Sequence, residues 1–309
     1  MSAVFEKIAI LGIGLIGSSI AHAARATGAA DRIAIYDADA SVRDRARALQ
    51  LGAVCDDIDS AVRDADCVIL ACPVGAMGAA AAEAIPAMRT GAVLTDVGSV
   101  KAAVIAAVGP HLRADLHFVP GHPIAGTEQS GPEAGFATLF DNRWHILTPI
   151  ADARPSYAEA VAALTNFWAR FGAHVETMDA ARHDVVLAVT SHLPHLIAFN
   201  IVAMAEDLEN VTENEVVKFS ASGFRDFTRI AASDPTMWRD VFLANKDAVL
   251  EILGRFTEDL AALQRAIRWG DAEKLYDTFA RARRVRREVI EAGQDTPAPN
   301  WGRDKAGDA

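Results

Sequence analysis

Lys7-Ile8-Ala9-Ile10-Leu11-Gly12-Ile13-Gly14-Leu15-Ile16-Gly17, with the apolar-faced run that continues to Thr27, decides how this chain begins. A buried strand over Lys7–Leu11 enters three glycines spaced G-x-G-x-x-G, and a helix over Leu15–Thr27 follows. Gly12 permits the tight turn, Gly14 lets backbone approach a pyrophosphate, and Gly17 lets the helix pack closely on the strand. Leu15 and Ile16 open the helix, where unpaired N–H groups and a partial positive charge face the phosphates. Asp37 stands at the end of the next strand, twenty residues after Gly17. A carboxylate there accepts hydrogen bonds from the adenosine ribose hydroxyls and repels a 2′-phosphate. The expected cofactor is therefore NAD rather than NADP. The plainer alternative is a flexible Gly turn with a helix-capping Asp, but strand, helix and acid all fall where dinucleotide binding needs them.

Outward from this motif, short apolar runs alternate with amphipathic stretches. Strands are expected at Lys7–Leu11, Arg32–Tyr36, Cys67–Ala71, Ala92–Asp96, His117–Pro120 and Trp144–Thr148, and helices at Leu15–Thr27, Ser41–Leu51, Gly75–Met88 and Ser99–Val108. Such alternation implies a parallel sheet wound on both faces. After about Arg154 the character changes: Pro155 opens a helix, a short strand-like piece covers His174–Thr177, and helical periods dominate from Asp179 onward. The expected fold class is an α/β Rossmann-type dinucleotide-binding domain over residues 1–152. An all-α dimerisation and substrate domain should follow over 153–293, with a Pro/Gly-rich, charged tail over 294–309 expected to be disordered.

Composition narrows the function. With 51% hydrophobic and 23% charged residues, the chain can bury a large core. Its formal net charge of -11, spread along the chain, argues against nucleic acid as a partner, which would need clustered Lys and Arg. Cys55, Cys67 and Cys72 form no CxxC pair or His/Cys ligand set, so neither a metal nor a disulfide framework is indicated. Reduced thiols and an amino terminus without a charged leader fit the cytoplasm. Val185–Ala205 is 21 residues without a formal charge, long enough to span a bilayer. It carries Thr190, Ser191, His192, Pro194, His195 and Asn200, which are costly in lipid. A buried core helix whose polar residues line a site is the better reading, with no membrane partner. The apolar surface of this stretch and of Val241–Phe256 exceeds what about 140 residues bury alone, so a homodimer through the helical domain is expected.

Four segments point to a substrate. Gly121-His122-Pro123-Ile124-Ala125-Gly126-Thr127-Glu128 follows the fifth expected strand, and Asp96-Val97-Gly98-Ser99-Val100-Lys101 closes the fourth. The carboxyl ends of such strands face the ligand crevice. Ser191-His192-Leu193-Pro194-His195 lies in the apolar run, and Ser222–Ile230 continues through Ser233-Asp234-Pro235 to Asp240. In this order and on this framework, the segments resemble the prephenate/arogenate (cyclohexadienyl) dehydrogenase family of tyrosine biosynthesis, over about residues 5–290. The resemblance implies oxidative decarboxylation: a hydride passes to NAD from the ring carbon bearing the 4-hydroxyl, carbon dioxide leaves, and the ring becomes aromatic. Prephenate would give 4-hydroxyphenylpyruvate, and arogenate would give tyrosine.

On that resemblance His122 is the group that takes the hydroxyl proton, a task suited to neutral imidazole, rather than a structural His before Pro123. Ser99 would hydrogen-bond the same hydroxyl, or serve as the N-cap of its helix. Arg229 would grip a substrate carboxylate with a bidentate fork, against a surface salt bridge with Asp226. His195 is read as a substrate contact and His192 as its support or a satisfied core histidine. Glu128 and Asp226 would join Arg229 in an ionic network at the pocket mouth, with Arg225 nearby. Trp238 is read as core packing. No chorismate mutase segment is recognisable ahead of Lys7, and no regulatory domain is expected after about Ala292. The rival enzyme reading is a β-hydroxyacid dehydrogenase, which would need a catalytic lysine; neither Lys218 nor Lys246 sits in a matching motif. A non-catalytic NAD sensor would leave His122 without a role. The cofactor reading carries its own test: NAD should be preferred over NADP by at least about tenfold in kcat/KM, one like-charge contact at a protein surface being worth up to about 4 kcal/mol against the roughly 1.4 kcal/mol of a tenfold ratio. Steady-state kinetics with both cofactors checks this, and Asp37→Ser should narrow the gap.

Overall fold

Alternate residues of β1 (Phe5–Leu11) go to different cores, and that alternation organises the first part of the molecule. Ile8 and Ile10 join one apolar cluster while Ala9 and Leu11 join another. The same split separates Cys67 and Ile69 from Val68 and Leu70 in β4 (Cys67–Leu70). Side chains of a strand point to opposite faces in turn, so a sheet apolar at every position must be covered twice. The computed structural model describes residues 2–212 and 221–291. Its main sheet has six parallel strands in the order β3-β2-β1-β4-β5-β6, adding β2 (Ala30–Tyr36), β3 (Ala53–Val54), β5 (Val93–Asp96) and β6 (His117–Phe118).

Helices α1 (Leu15–Thr27) and α2 (Ala40–Ala48) contribute to the first core, and α3 (Ile58–Val62), α4 (Val74–Ala87) and α5 (Ala102–Val108) to the second. Two short elements, β3 and α3, were not expected from the sequence. Their pattern is too brief to show periodicity, and β3 makes the strand before His122 the sixth rather than the fifth. The helix expected at Ser99 begins instead at Ala102, with Lys101 at its N-cap.

A larger difference concerns the strand at Trp144. It is β8 (Trp144–Leu147), and it lies outside the parallel sheet, antiparallel to β7 (Gly121–Pro123) and parallel to β9 (His174–Thr177). The ladder to β5 ends with Val119 N donating to the Leu94 carbonyl, the Pro120 carbonyl already accepts from Thr148 N at 2.9 Å, and the second sheet starts at Gly121. The helix opened by Pro155, α6 (Pro155–Arg170), packs Tyr157, Leu164, Phe167 and Trp168 into the first core with α1. It belongs with the α/β body, although the sequence changes character at about Arg154.

Beyond β9 the described elements are helical. They are α7 (Ala180–Leu187), a π turn (Ala188–His192), α8 (Leu193–Thr212), α9 (Ser222–Thr228), a 3-10 turn (Arg229–Ala232), α10 (Pro235–Ala244), α11 (Lys246–Trp269) and α12 (Ala272–Glu291). The uncharged stretch is thus a helix interrupted by one wide turn. Pro194 has no N–H for the Thr190 carbonyl, and its ring crowds that carbonyl in an α-helix. A π turn gives the room. The stretch is also not buried all round: Val185, Val186, Val189, Val202 and Met204 are exposed. By length and composition Ala180–Asp207 could cross a membrane. The chain divides into compact units Met1–Lys246 and Asp247–Ala309. The tail expected over 294–309 and Lys218 lie outside the described residues.

The strand order reverses between β1 and β4, the crevice where ligands of such sheets bind. Here the glycines differ in what surrounds them. Gly12 has φ +100, and a Cβ on it would meet Ala71 and Cys72 backbone at 2.6 Å; one on Gly17 would lie 2.1 Å from the Gly12 carbonyl oxygen. A Cβ on Gly14 would meet nothing within 4 Å, because it faces the open crevice. Gly17→Ala should therefore cost about 1–3 kcal/mol of stability, measured by denaturant unfolding. Gly14→Ala should leave stability intact and weaken dinucleotide binding, measured by titration.

Candidate active site

The glycine turn is held from below by the acid expected to hold the ribose. One Asp37 oxygen accepts from Ile13 N at 2.9 Å and the other from Asp39 N at 3.0 Å. Arg43 donates to the Asp37 carbonyl at 2.7 Å, with its guanidinium 5.5 Å from the centre of the Tyr36 ring. A carboxylate and a cation therefore share the end of β2. Open space over Gly14, the free N-terminus of α1 and the acceptor Asp37 together fit a dinucleotide.

The loop between β7 and β8 seats on α1. Gly135 lies against Ser18, Phe136 N donates to Ser19 Oγ at 3.1 Å, and Ser18 Oγ donates to the Gly14 carbonyl at 2.7 Å. The same loop carries Glu128, whose carboxylate accepts from Arg229 at 2.9 Å. Arg229 and Glu128 thus meet as expected. Asp226 does not join them. It pairs with its neighbour Arg225 at 3.2 Å, both well exposed.

His122 sits on β7 and is buried. Asp96, at the end of β5, places it. Its carboxylate accepts from Gly98 N at 2.9 Å and Gly121 N at 3.3 Å, and pairs with the buried Lys101 ammonium. Lys101 also donates to the Gly121 carbonyl at 2.6 Å. One ion pair therefore fixes both the turn carrying Ser99 and the strand carrying His122. Ser99 is not the N-cap of α5, so that alternative is withdrawn. The α5 N-terminus is capped by Asp184 of α7, which accepts from Lys101 N at 2.7 Å and Ala102 N at 2.9 Å.

Asp184 also accepts from His183 Nδ1 at 2.8 Å, and His183 Nε2 lies 2.9 Å from His122 Nδ1. Neither His183 nor Asp184 was singled out from the sequence. The available signal was an adjacent titratable pair immediately before an uncharged helical run. Asn245, also missed, donates to the Asp184 carbonyl at 2.9 Å and to His192 Nδ1 at 3.1 Å. His192 is therefore a buried support, on the π turn. His195 is half-buried on α8. Its Nδ1–H donates to the Ser191 carbonyl at 2.8 Å and its ring stacks on Trp238 at 3.7 Å, leaving Nε2 as an acceptor. Trp238 packs with Val100 and Val241, so it is both core and a wall for His195.

Burial sets the charge state here. It pushes His122 well below the ordinary imidazole value, helped by His183, Lys101, His145 and His192. Burial does the same to His145, with Lys101 adding to it. His192 is pulled by burial to about 4, with Asp184 opposing.

Comparisons with known proteins place the chain in a family. The sequence pattern described as prephenate dehydrogenase, nucleotide-binding domain matches residues 20–177, and that of the prephenate dehydrogenase dimerization domain matches 179–281. A cyclohexadienyl dehydrogenase of Zymomonas mobilis is 44% identical over 284 residues, 92% of this chain and 96% of that protein. The chain belongs to the prephenate dehydrogenase family. Prephenate dehydrogenase of Bacillus subtilis is 36% identical over 93% of this chain and 76% of its own. The crystal structure of prephenate dehydrogenase from A. aeolicus in complex with hydroxyphenyl propionate and NAD+ superposes with a TM-score of 0.84, at 32% identity, covering 92% of this chain and 98% of that one. This family member is thus a dehydrogenase with a dinucleotide-binding domain, which sets aside the β-hydroxyacid dehydrogenase and sensor readings.

The buried imidazoles make stability depend on pH. His192 is neutral in the fold until about pH 4, whereas an unfolded imidazole binds a proton near 6.5. Below 6.5 the unfolded chain therefore binds more protons, so stability is complete above that value and falls as pH drops towards about 4. Calorimetry across this range should show Tm falling, and less steeply in His192→Asn.

Proposed function

We propose that this chain is an NAD-dependent dehydrogenase that oxidatively decarboxylates prephenate to 4-hydroxyphenylpyruvate, arogenate to tyrosine, or both, in tyrosine biosynthesis. The observation that carries the reading is His122. It is a buried imidazole, kept neutral, on a strand fixed by Asp96 and Lys101 beside the glycine crevice. Gly12, Gly14, Leu15, Ile16 and Gly17 would hold NAD, with Asp37 at its ribose, and the bound nicotinamide would supply the hydride acceptor. His122 takes the 4-hydroxyl proton as the C4–H bond breaks. The electrons of the breaking carbon–carboxylate bond enter the ring, carbon dioxide leaves, and the phenolate oxygen receives the proton back from His122. The proton count closes, so the imidazole borrows a proton rather than discharging one.

Ser99 hydrogen-bonds the same hydroxyl. Arg229 binds a substrate carboxylate and exchanges its Glu128 contact for it, while His195 accepts a hydrogen bond from the side chain and His192 backs the pocket. Asp226 and Arg225 stand at the exposed rim. Because α6 and β9 pack with the α/β body, the functional division falls at about residue 178 rather than 152, cofactor before it and substrate and self-association after it. A second copy of the chain covers the apolar face of Ala180–Asp207, in keeping with the dimerization domain matched there.

Steady-state kinetics with prephenate and arogenate tests the proposal, and two variants separate the assigned roles. His122→Asn should lower kcat by about 10²-fold or more with KM little changed. Arg229→Ala should mainly raise KM, by roughly 10–150-fold for one charge-assisted contact. Proton transfer is needed only in the transition state, whereas the carboxylate is held throughout. Near-normal kcat in the first variant would end the assignment of the base.

A further inference from the structure

We propose that His183 and Asp184 act through His122: they fix which of its nitrogens is bare, and they receive the positive charge when the substrate proton arrives. The starting point is Asp184. Its two oxygens accept backbone N–H bonds from Lys101 at 2.7 Å and Ala102 at 2.9 Å. Those bonds, with the His183 contact, outweigh burial and hold its carboxyl below the ordinary value, so it is an acceptor only. Each following link then has a single assignment. His183 Nδ1 must carry a hydrogen to reach Asp184 at 2.8 Å. A neutral imidazole has one N–H, so His183 Nε2 is a lone pair. His122 Nδ1, 2.9 Å away, must donate to it, which leaves His122 Nε2 bare for the substrate hydroxyl. The ring centres lie 5.1 Å apart with their planes at 65°, and that separation around a 2.9 Å N···N distance is that of an edge-to-edge contact twisted about its axis.

The same chain answers an electrostatic difficulty. A cation on His122 would be buried, and a charged His183, Lys101, His145 and His192 all disfavour it. One proton shift removes the problem. As His122 Nε2 gains the substrate proton, its Nδ1–H bond breaks and an Nε2–H bond forms on His183. The charge then rests on His183 against the Asp184 carboxylate, and the reverse shift returns the proton to the phenolate. No oxidant or further reactant is needed. His183 never touches substrate in this scheme, so it is a positioning residue. An aspartate that orients a catalytic imidazole by its second nitrogen is a known arrangement in hydrolases; here a second imidazole stands between them.

The inference rests on His122 as the base, and the experiment keeps the two apart. Protein carrying ¹⁵N-labelled histidine, with the His122 signals assigned through His122→Asn, shows by NMR which nitrogen is protonated. The expected wild-type state is Nδ1–H on both His122 and His183. Asp184→Asn with its amide turned to His183 Nδ1 gives up the Lys101 N bond made by the same oxygen and keeps that of Ala102 N; it reverses both imidazole links and puts the hydrogen of His122 on Nε2. That variant should keep its dinucleotide affinity and KM within about threefold while kcat falls roughly 10²–10⁴-fold. His183→Gln keeps an acceptor for His122 Nδ1 but cannot take the proton. Its NMR tautomer should stay as in wild type, with kcat reduced at least about tenfold. If His122→Asn is inactive while Asp184→Asn and His183→Gln keep wild-type kcat, the relay is wrong and the base stands. If His122→Asn retains kcat, the base itself is wrong. An Nε2–H tautomer of His122 in the wild-type protein overturns the relay without any variant having to fold.

Discussion

The carboxylate of Asp184 closes the N-terminus of a helix that begins 82 residues earlier in the chain, at Ala102. A helix start leaves N–H groups without partners inside the helix, and α5 starts where no local side chain caps it. An unmet buried N–H costs about 1–3 kcal/mol, so α7 is fastened to the α/β body by a contact the body itself requires. From that contact the rest of the site follows. His183 is bound to the same carboxylate, His122 to His183, and Asn245 to the Asp184 carbonyl and His192. The Asp96–Lys101 pair does for backbone what Asp184 does for rings, joining the ends of β5 and β7.

Buried ionic groups are expensive to desolvate, and their pairing at best offsets that loss. Lys101 and Asp96 are both fully buried, and burial lowers the Lys101 pKa against the pull of Asp96. A well-packed apolar pair could serve stability as well. What an apolar pair cannot do is bind the Gly98 and Gly121 backbone at once. The ion pair is explained by the strand it places rather than by the stability it adds. Gly121 shows how close that placement is, since a Cβ there would lie 2.7 Å from His145 Nε2.

Features that depend on neighbours in sequence were legible before the structure. The glycine turn, Asp37, β1, β2 and α1 follow from backbone freedom, alternation and helical period within a few residues. The family segments located His122, Ser99, His195 and Arg229 because each lies in a short distinctive block. What escaped was non-local. The β7-β8-β9 sheet is built from pieces of three or four residues whose partners lie far along the chain. The start of α5 was misplaced because a distant residue caps it. His183 and Asp184 passed as ordinary polar residues at a helix start, since nothing local says that a carboxylate will face another helix's N-terminus. The resemblance also puts Asp226 with Arg229, whereas the exposed Asp226 pairs with its immediate neighbour Arg225.

The π turn at Ala188–His192 holds one residue more than the same length of α-helix would. It separates His192, which faces Asn245, from His195, which faces Trp238. Five residues at this wider pitch take up about the same rotation as four in an α-helix, so the turn absorbs a surplus residue without moving His195 off Trp238. A regular helix in its place would set the Pro194 ring against the carbonyl four residues back. The turn and the proline are therefore one constraint. In this lineage the surplus residue and Pro194 should be kept together or lost together.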